Sequence, residues 1–298
     1  MNVLEVRNLK KIYKNKIALN DISFDVEQGK IYSIIGHNGA GKTTLFLILS
    51  GLLEPTSGSI NILDKNISNK KDLLFIKKKI GLCTEDLILY PYLTIDEIIN
   101  FICGINNIKN CNIDEWIEAL DLKQYKNYLI STLSTGLRKR VFLLATLITN
   151  PQILLLDEPF TALDPESMKI VKDLFKYLNL QGKTLLISSH EFRNIEDITD
   201  KCMILRQGDI IESDDLSILM KKYNLLNKYI INIKENRILG KQFQNIEGVY
   251  FKDDSIICNQ HTFKEVMNLI IDNKISYNNI ITEKPSLEEL YFKANKLV

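Results

Sequence analysis

The run GHNGAGKTT at residues 36–44 combines spaced glycines with a lysine and two hydroxyls, in the pattern G-x-x-x-x-G-K-[ST]. That spacing suits phosphate. Gly36, Gly39 and Gly41 let the backbone curl, so that N–H groups along the loop, those of His37, Asn38 and Ala40 included, face phosphate oxygens. Lys42 reaches the β- and γ-phosphates, the Thr43 hydroxyl suits Mg²⁺, and Thr44 completes the run. Farther on, ILLLDE places Asp157 and Glu158 at the end of an apolar stretch, where two carboxylates are costly unless solvated, paired or coordinating a metal. Together with a phosphate loop, Asp157 suits the Mg²⁺ shell. Glu158 suits polarisation of an attacking water, a role worth about 10² to 10⁴ in rate.

Two further stretches carry polar groups with more than one reading. In LSTGLRKR, residues 133–140, Ser134 or Thr135 can cap the helix that follows, while Gly136 offers close backbone approach and the helix N-terminus an anion site. His190 follows the apolar run TLLISS and is either a structural histidine at a strand end or a ligand.

The elements that must hold these groups follow from periodicity. VLEVRNL and the alternating IALNDISFDVE are expected as strands. The apolar IYSII before the loop is a buried strand, and a helix is expected over 43–52. The short apolar runs ILLLDEP and TLLISSH, bounded by Pro151, Pro159 and Gly182, suit central parallel strands, so an α/β parallel-sheet core is expected. Between about residues 86 and 150 helical spacing predominates, which predicts a helical subdomain. After about residue 222, KYIINIKE, GVYFKDD, SIICNQ and ISYNNIITE are expected as strands, with helices in HTFKEVMNLIIDN and SLEELYFKANKL. This points to a small α+β domain over 223–298, following a first domain over 1–222.

Composition narrows the function classes. With 298 residues, 45% hydrophobic and 25% charged, the chain is long enough for a large core, and a net charge of +1 gives no electrostatic case for bulk nucleic-acid or anionic-membrane binding. Five scattered cysteines without a C-x-x-C pair are expected as reduced thiols in a cytosol. No run approaches the roughly 18 apolar residues of a membrane span, so the chain is not expected to cross a membrane alone.

Taken in order, Tyr13, GHNGAGKTT, LSTGLRKR, ILLLDEP, TALDP and SSH resemble the full motif set of the ATP-binding cassette (ABC) nucleotide-binding domains, over roughly residues 1–220. The resemblance implies a P-loop ATPase with a parallel-sheet core, an N-terminal antiparallel β subdomain and a helical subdomain, using ATP and Mg²⁺. It implies head-to-tail pairs, homodimeric or heterodimeric, in which Ser134 and the Gly136 N–H meet the ATP held by the partner's loop. Tyr13 would stack on adenine, Glu158 would be the general base, and His190 would contact the γ-phosphate. Ala162, Leu163 and Asp164 would link the two sites.

Two positions depart from the family pattern. Leu137 stands where the family has Gln in LSGGQ, and Glu85, in LCTED, stands where a Gln couples nucleotide to the membrane partner. Glu85 is either a third Mg²⁺ ligand beside Thr43 and Asp157 or a solvated loop acid. LILYPYLT, residues 87–94, either packs inside the helical subdomain or receives a membrane subunit. The ending IITEKPSLEELYFKANKL resembles the C-terminal extension of bacterial drug, bacteriocin-immunity and peptide exporter ATPases, which implies a ferredoxin-like regulatory or dimerisation domain, or else a stability appendage. The expected role is an ATP-hydrolysing subunit at the inner face of the cell membrane, working with a separate multi-span permease and without nucleic acid. The alternatives are an importer ATPase, or a soluble cassette acting on ribosomes or DNA.

Overall fold

The computed structural model describes residues 1–84, 89–108, 113–233, 243, 246–252 and 254–296. The chain folds as two units, Met1–Leu216 and Ser217–Val298.

The first unit opens with a hairpin of β1 (Asn2–Tyr13) and β2 (Lys16–Glu27), whose alternation buries Leu4, Val6 and Leu9 on one strand and Leu19, Ile22, Phe24 and Val26 on the other. β3 (Ile31–Ile35) is buried at every position and leads into α1 (Lys42–Leu49). Next come β4 (Ser57–Ile62), β5 (Lys65–Asn66), α2 (Lys70–Lys77) and β6 (Ile80–Cys83). The stretch expected to be helical carries α3 (Ile95–Asn106), α4 (Ile113–Ala119) and α5 (Thr135–Leu147). A reciprocal cap between Thr94 and Glu97 starts α3. β7 (Ile153–Asp157), α6 (Pro165–Leu180), β8 (Thr184–Ser189), β9 (Lys201–Arg206) and β10 (Asp209–Asp215) follow.

These strands form two sheets. One is antiparallel in the order β2-β1-β4-β5; the other runs β10-β9-β3-β8-β7-β6 and is parallel except for its β10 edge. One apolar cluster joins them, with Phe46, Leu45 and Leu49 of α1 packed among Leu4, Phe24, Tyr32 and Leu186. Because β3, β7 and β8 are parallel neighbours, the segments that follow all three emerge at the same edge. Ile35 lies beside Ser189, and Asp157 beside Ser188. Ligands of parallel sheets bind at this carboxyl edge.

The second unit contains β11 (Lys228–Ile233), β12 (Tyr250–Lys252), β13 (Ser255–Asn259), α8 (Phe263–Asp272), β14 (Tyr277–Glu283) and α9 (Leu287–Lys296); a short helix α7 (Leu216–Lys222) begins at its boundary. Its sheet is antiparallel in the order β12-β13-β11-β14. This strand order, with α8 between β13 and β14, is that of a ferredoxin-like sheet, and Phe243, between β11 and β12, is helical and buried. Ile231, Ile233, Phe243, Ile256, Val266 and Ile270 form its core.

Five strands escape a periodicity reading. β5 has only Lys65–Asn66 and β6 only Ile80–Cys83, β4 and β10 expose much of their length, and β9 is a short run following a loop. The helix expected over 43–52 stops at Leu49, because Gly51 turns to φ +69° after the Ser50 cap.

Candidate active site

The loop between β3 and α1 is shaped by glycine for steric reasons. Gly41 sits at φ +112°, and a Cβ there would lie 2.5 Å from the Ala18 carbonyl oxygen. A Cβ on Gly36 would lie 2.3 Å from the Leu205 carbonyl oxygen. The loop therefore lies directly against β2 and β9 and borders a cleft lined by Tyr13, Lys16, Ala18, residues 38–44, Asp157 and Glu158. Tyr13 is 42% exposed, and the Lys11 ammonium stands 5.2 Å from its ring centroid. Lys16 and Ala18 were not singled out by motif, since neither type announces a site. Their place is set by the β1–β2 hairpin.

The Lys42 ammonium, 6% exposed, donates to the carbonyl oxygen of Gly36 at 2.7 Å and stands 3.4 Å from Glu158 Oε1. His190 Nδ1 lies 2.9 Å from Glu158 Oε2, and the His190 backbone N–H donates to that oxygen at 3.3 Å. The catalytic candidates Lys42, Glu158 and His190 thus converge on one buried carboxylate, which offsets the cost of burying its charge.

Beside them the Thr43 hydroxyl donates to Asp157 Oδ2 at 2.7 Å, across a separation of 114 residues. Ser188 joins the two acidic neighbours: its hydroxyl donates to Asp157 Oδ1 at 2.5 Å and accepts the Glu158 backbone N–H at 3.0 Å. Ser188 is fully buried and was not proposed from sequence; the hydroxyl pair in SSH was the available signal. One hydroxyl and one carboxylate are hard oxygen ligands, few in number. They fit Mg²⁺, which keeps waters and takes substrate phosphate oxygens as well. Among the described residues no group of three or more His, Cys, Asp or Glu side chains forms a metal cage. Glu85, the third proposed metal ligand, lies outside the described residues, as do Asp86 and positions 87 and 88 of the adjoining apolar stretch.

A second cluster stands apart from the cleft lining. Ser134 is the N-cap of α5, and its hydroxyl accepts the Leu137 N–H at 3.2 Å. Thr135 is the first helical residue, so the cap is Ser134. A Cβ on Gly136 would lie 2.9 Å from Ser167 Oγ and 3.2 Å from Asp164 Oδ2, so this glycine admits the N-terminus of α6. Asp164 caps α6, accepting the Ser167 N–H at 2.8 Å and the Ser167 hydroxyl at 2.9 Å; these bonds hold its carboxyl below the usual carboxylate range. Leu137 is half-buried.

The profile of the family described as ABC transporter matches residues 19–161. The bacitracin transport ATP-binding protein BcrA of Bacillus licheniformis is 31% identical over 98% of this chain and 96% of its own length. The lantibiotic transport ATP-binding protein SrtF of Streptococcus pyogenes is 31% identical over 70% of this chain and 89% of its own length. Among solved structures, the dimeric post-hydrolysis state of the ATP-binding cassette MJ0796 bound to ADP and Pi superposes with a TM-score of 0.65 at 26% identity, covering 72% of this chain and 98% of that one.

Proposed function

The chain belongs to the ABC transporter ATP-binding proteins and is an ATPase, and from that premise we propose that it powers export of a drug, peptide or bacteriocin-like cargo through a separate multi-span permease. The observation that carries the exporter reading is end-to-end likeness to a bacitracin transport ATP-binding protein, which takes in the C-terminal unit as well as the cassette. No described helix is long and apolar enough to cross a membrane, so a membrane-spanning partner fits the role. The proposed location is the cytoplasmic face of the cell membrane.

In this reading the loop of residues 36–44 cradles the phosphates and Tyr13 stacks on adenine. Lys42 exchanges the Gly36 carbonyl and Glu158 for β- and γ-phosphate oxygens, which frees the Glu158 carboxylate. Glu158 then accepts the proton of the attacking water, and His190 orients that carboxylate and contacts the γ-phosphate. Thr43 and Asp157, with Glu85, would hold Mg²⁺, which supplies neutralisation of the phosphate charge. Ser134 and the Gly136 N–H meet the ATP of a second nucleotide-binding subunit, and Ala162, Leu163 and Asp164 link the two sites. Loss of the shared γ-phosphate contact opens the pair. Residues 223–298 form a regulatory or dimerisation domain.

The test is affinity purification of tagged Glu158→Gln protein from detergent-solubilised membranes with ATP and Mg²⁺. A multi-span membrane protein is expected with it, and is expected to be lost on Lys42→Ala or without nucleotide. Ribosomal or DNA-bound proteins with no membrane partner would overturn the exporter reading.

A further inference from the structure

A buried lysine joins the helix of the partner-facing stretch to the catalytic carboxylate of the same chain. Lys139 lies on α5, five positions beyond its cap at Ser134, and is 8% exposed. Its ammonium donates to two backbone carbonyls of the loop after β7, Glu158 O at 3.1 Å and Thr161 O at 2.5 Å. That loop is bent where side-chain-bearing residues resist bending: Glu158 sits at φ +49° and Ala162 at φ +59°. Such residues persist where their surroundings over-determine them, and here both peptide groups of Glu158 are held by side chains. Ser188 Oγ takes its N–H, and Lys139 holds its carbonyl. An ammonium has several donors and a charge, so it can gather two converging carbonyls at once, drawing in Thr161 O together with Glu158 O, which also accepts the Thr161 N–H at 3.3 Å.

We propose that Lys139 is a positioning residue for ATP hydrolysis: it holds loop 158–162, left-handed at its two ends, in the conformation that aims the Glu158 carboxylate, and so ties the first turns of α5 to the catalytic centre of its own chain. This rests on the reading of Glu158 as the group that polarises the water. Lys139 is absent from the cleft lining, so its substitution leaves the phosphate loop's own groups in place.

The test uses the full chain and compares Lys139→Met with Lys139→Gln in Mg-ATP turnover, in affinity for a fluorescent ATP analogue, and in thermal melting. For Lys139→Met, kcat falls about ten- to a hundredfold, the scale of an ångström-sized misplacement, while nucleotide affinity stays within about twofold. Lys139→Gln, whose carboxamide carries two N–H donors, keeps kcat within about threefold of wild type. Added to Glu158→Gln, Lys139→Met lowers the residual turnover no further. Unchanged kcat in Lys139→Met overturns the proposal. So does an equal fall in both variants that tracks melting temperature and nucleotide affinity, which marks a structural role, and so does a full additional loss in the Glu158→Gln background. If Lys139→Met does not fold, Lys139→Ala takes its place in the same comparison. Wild-type turnover by Glu158→Gln alone would remove the reading of Glu158 instead, whatever Lys139 does.

Discussion

Ser188 shows how one neutral hydroxyl can organise two acidic residues. It serves Asp157 as donor and the Glu158 N–H as acceptor, with no exposed surface of its own. In Ser188→Ala the Glu158 N–H is left buried without this partner, which costs about 1 to 3 kcal/mol; urea denaturation should show the loss, with turnover falling beside it. Retained stability and turnover would mean that water or a shifted neighbour satisfies both groups. The GHNGAGKTT run announced Gly36, Lys42 and Thr43, because their roles depend on local spacing. Ser188 carried no comparable signal, since its partners lie about thirty positions away and reach it only through the register of β7 against β8.

At the scale of elements, α5 and α6 start side by side, and each start has a separate chemistry to test. Ser134→Ala removes the α5 cap and costs about 1 kcal/mol, whereas Ser134→Gly costs a few tenths. Both variants lack the hydroxyl proposed to meet the partner's phosphate. ATP-dependent dimerisation, measured by gel filtration, should therefore fall equally in the two although their melting temperatures differ; dimerisation that follows melting temperature would reduce Ser134 to a cap.

The cap of α6 is titratable. Bonding to Ser167 depresses the Asp164 carboxyl in the folded state, so its contribution is complete above the unfolded pKa near 3.8 and is lost as pH falls through the lower folded value. In an acid titration of stability, Asp164→Asn should flatten the profile below about pH 4 relative to wild type. An unchanged acid limb would assign that loss to other carboxylates. Gly136 links the two helices, because a methyl there would reach Ser167 Oγ at 2.9 Å. From sequence, Gly136 offers close approach and, by the family resemblance, a contact to the partner's ATP; the packing of α6 against it comes from the structure alone.

At the scale of the molecule, each unit has its own apolar core, one centred on Phe46 and its neighbours and one on Ile231, Phe243 and Val266. Removal of residues 223–298 should therefore leave a cassette that still binds ATP, while ATP-dependent dimerisation weakens if the second unit is a dimerisation domain. Gel filtration of the truncated chain with ATP decides this, and undiminished dimerisation with full turnover would make the second unit a stability appendage.

The motif chemistry, the buried strands and the likeness to the ABC family were legible in the sequence, because each depends on residues close together in the chain: the glycines of the loop, the apolar run ending in Asp157 and Glu158, the cap at Ser134. The strand order was not, because short or exposed strands such as β6 and β10 carry little periodic signal and pairing between distant segments leaves none. Only the tertiary structure brought Thr43 to Asp157 across 114 residues, set Ser188 between the two acidic groups and carried the Lys139 ammonium to the carbonyl of Glu158. Those meetings are fixed by which strands lie side by side, in what register, and by where α1 and α5 stand beside them, properties of the packed fold rather than of any one stretch of chain.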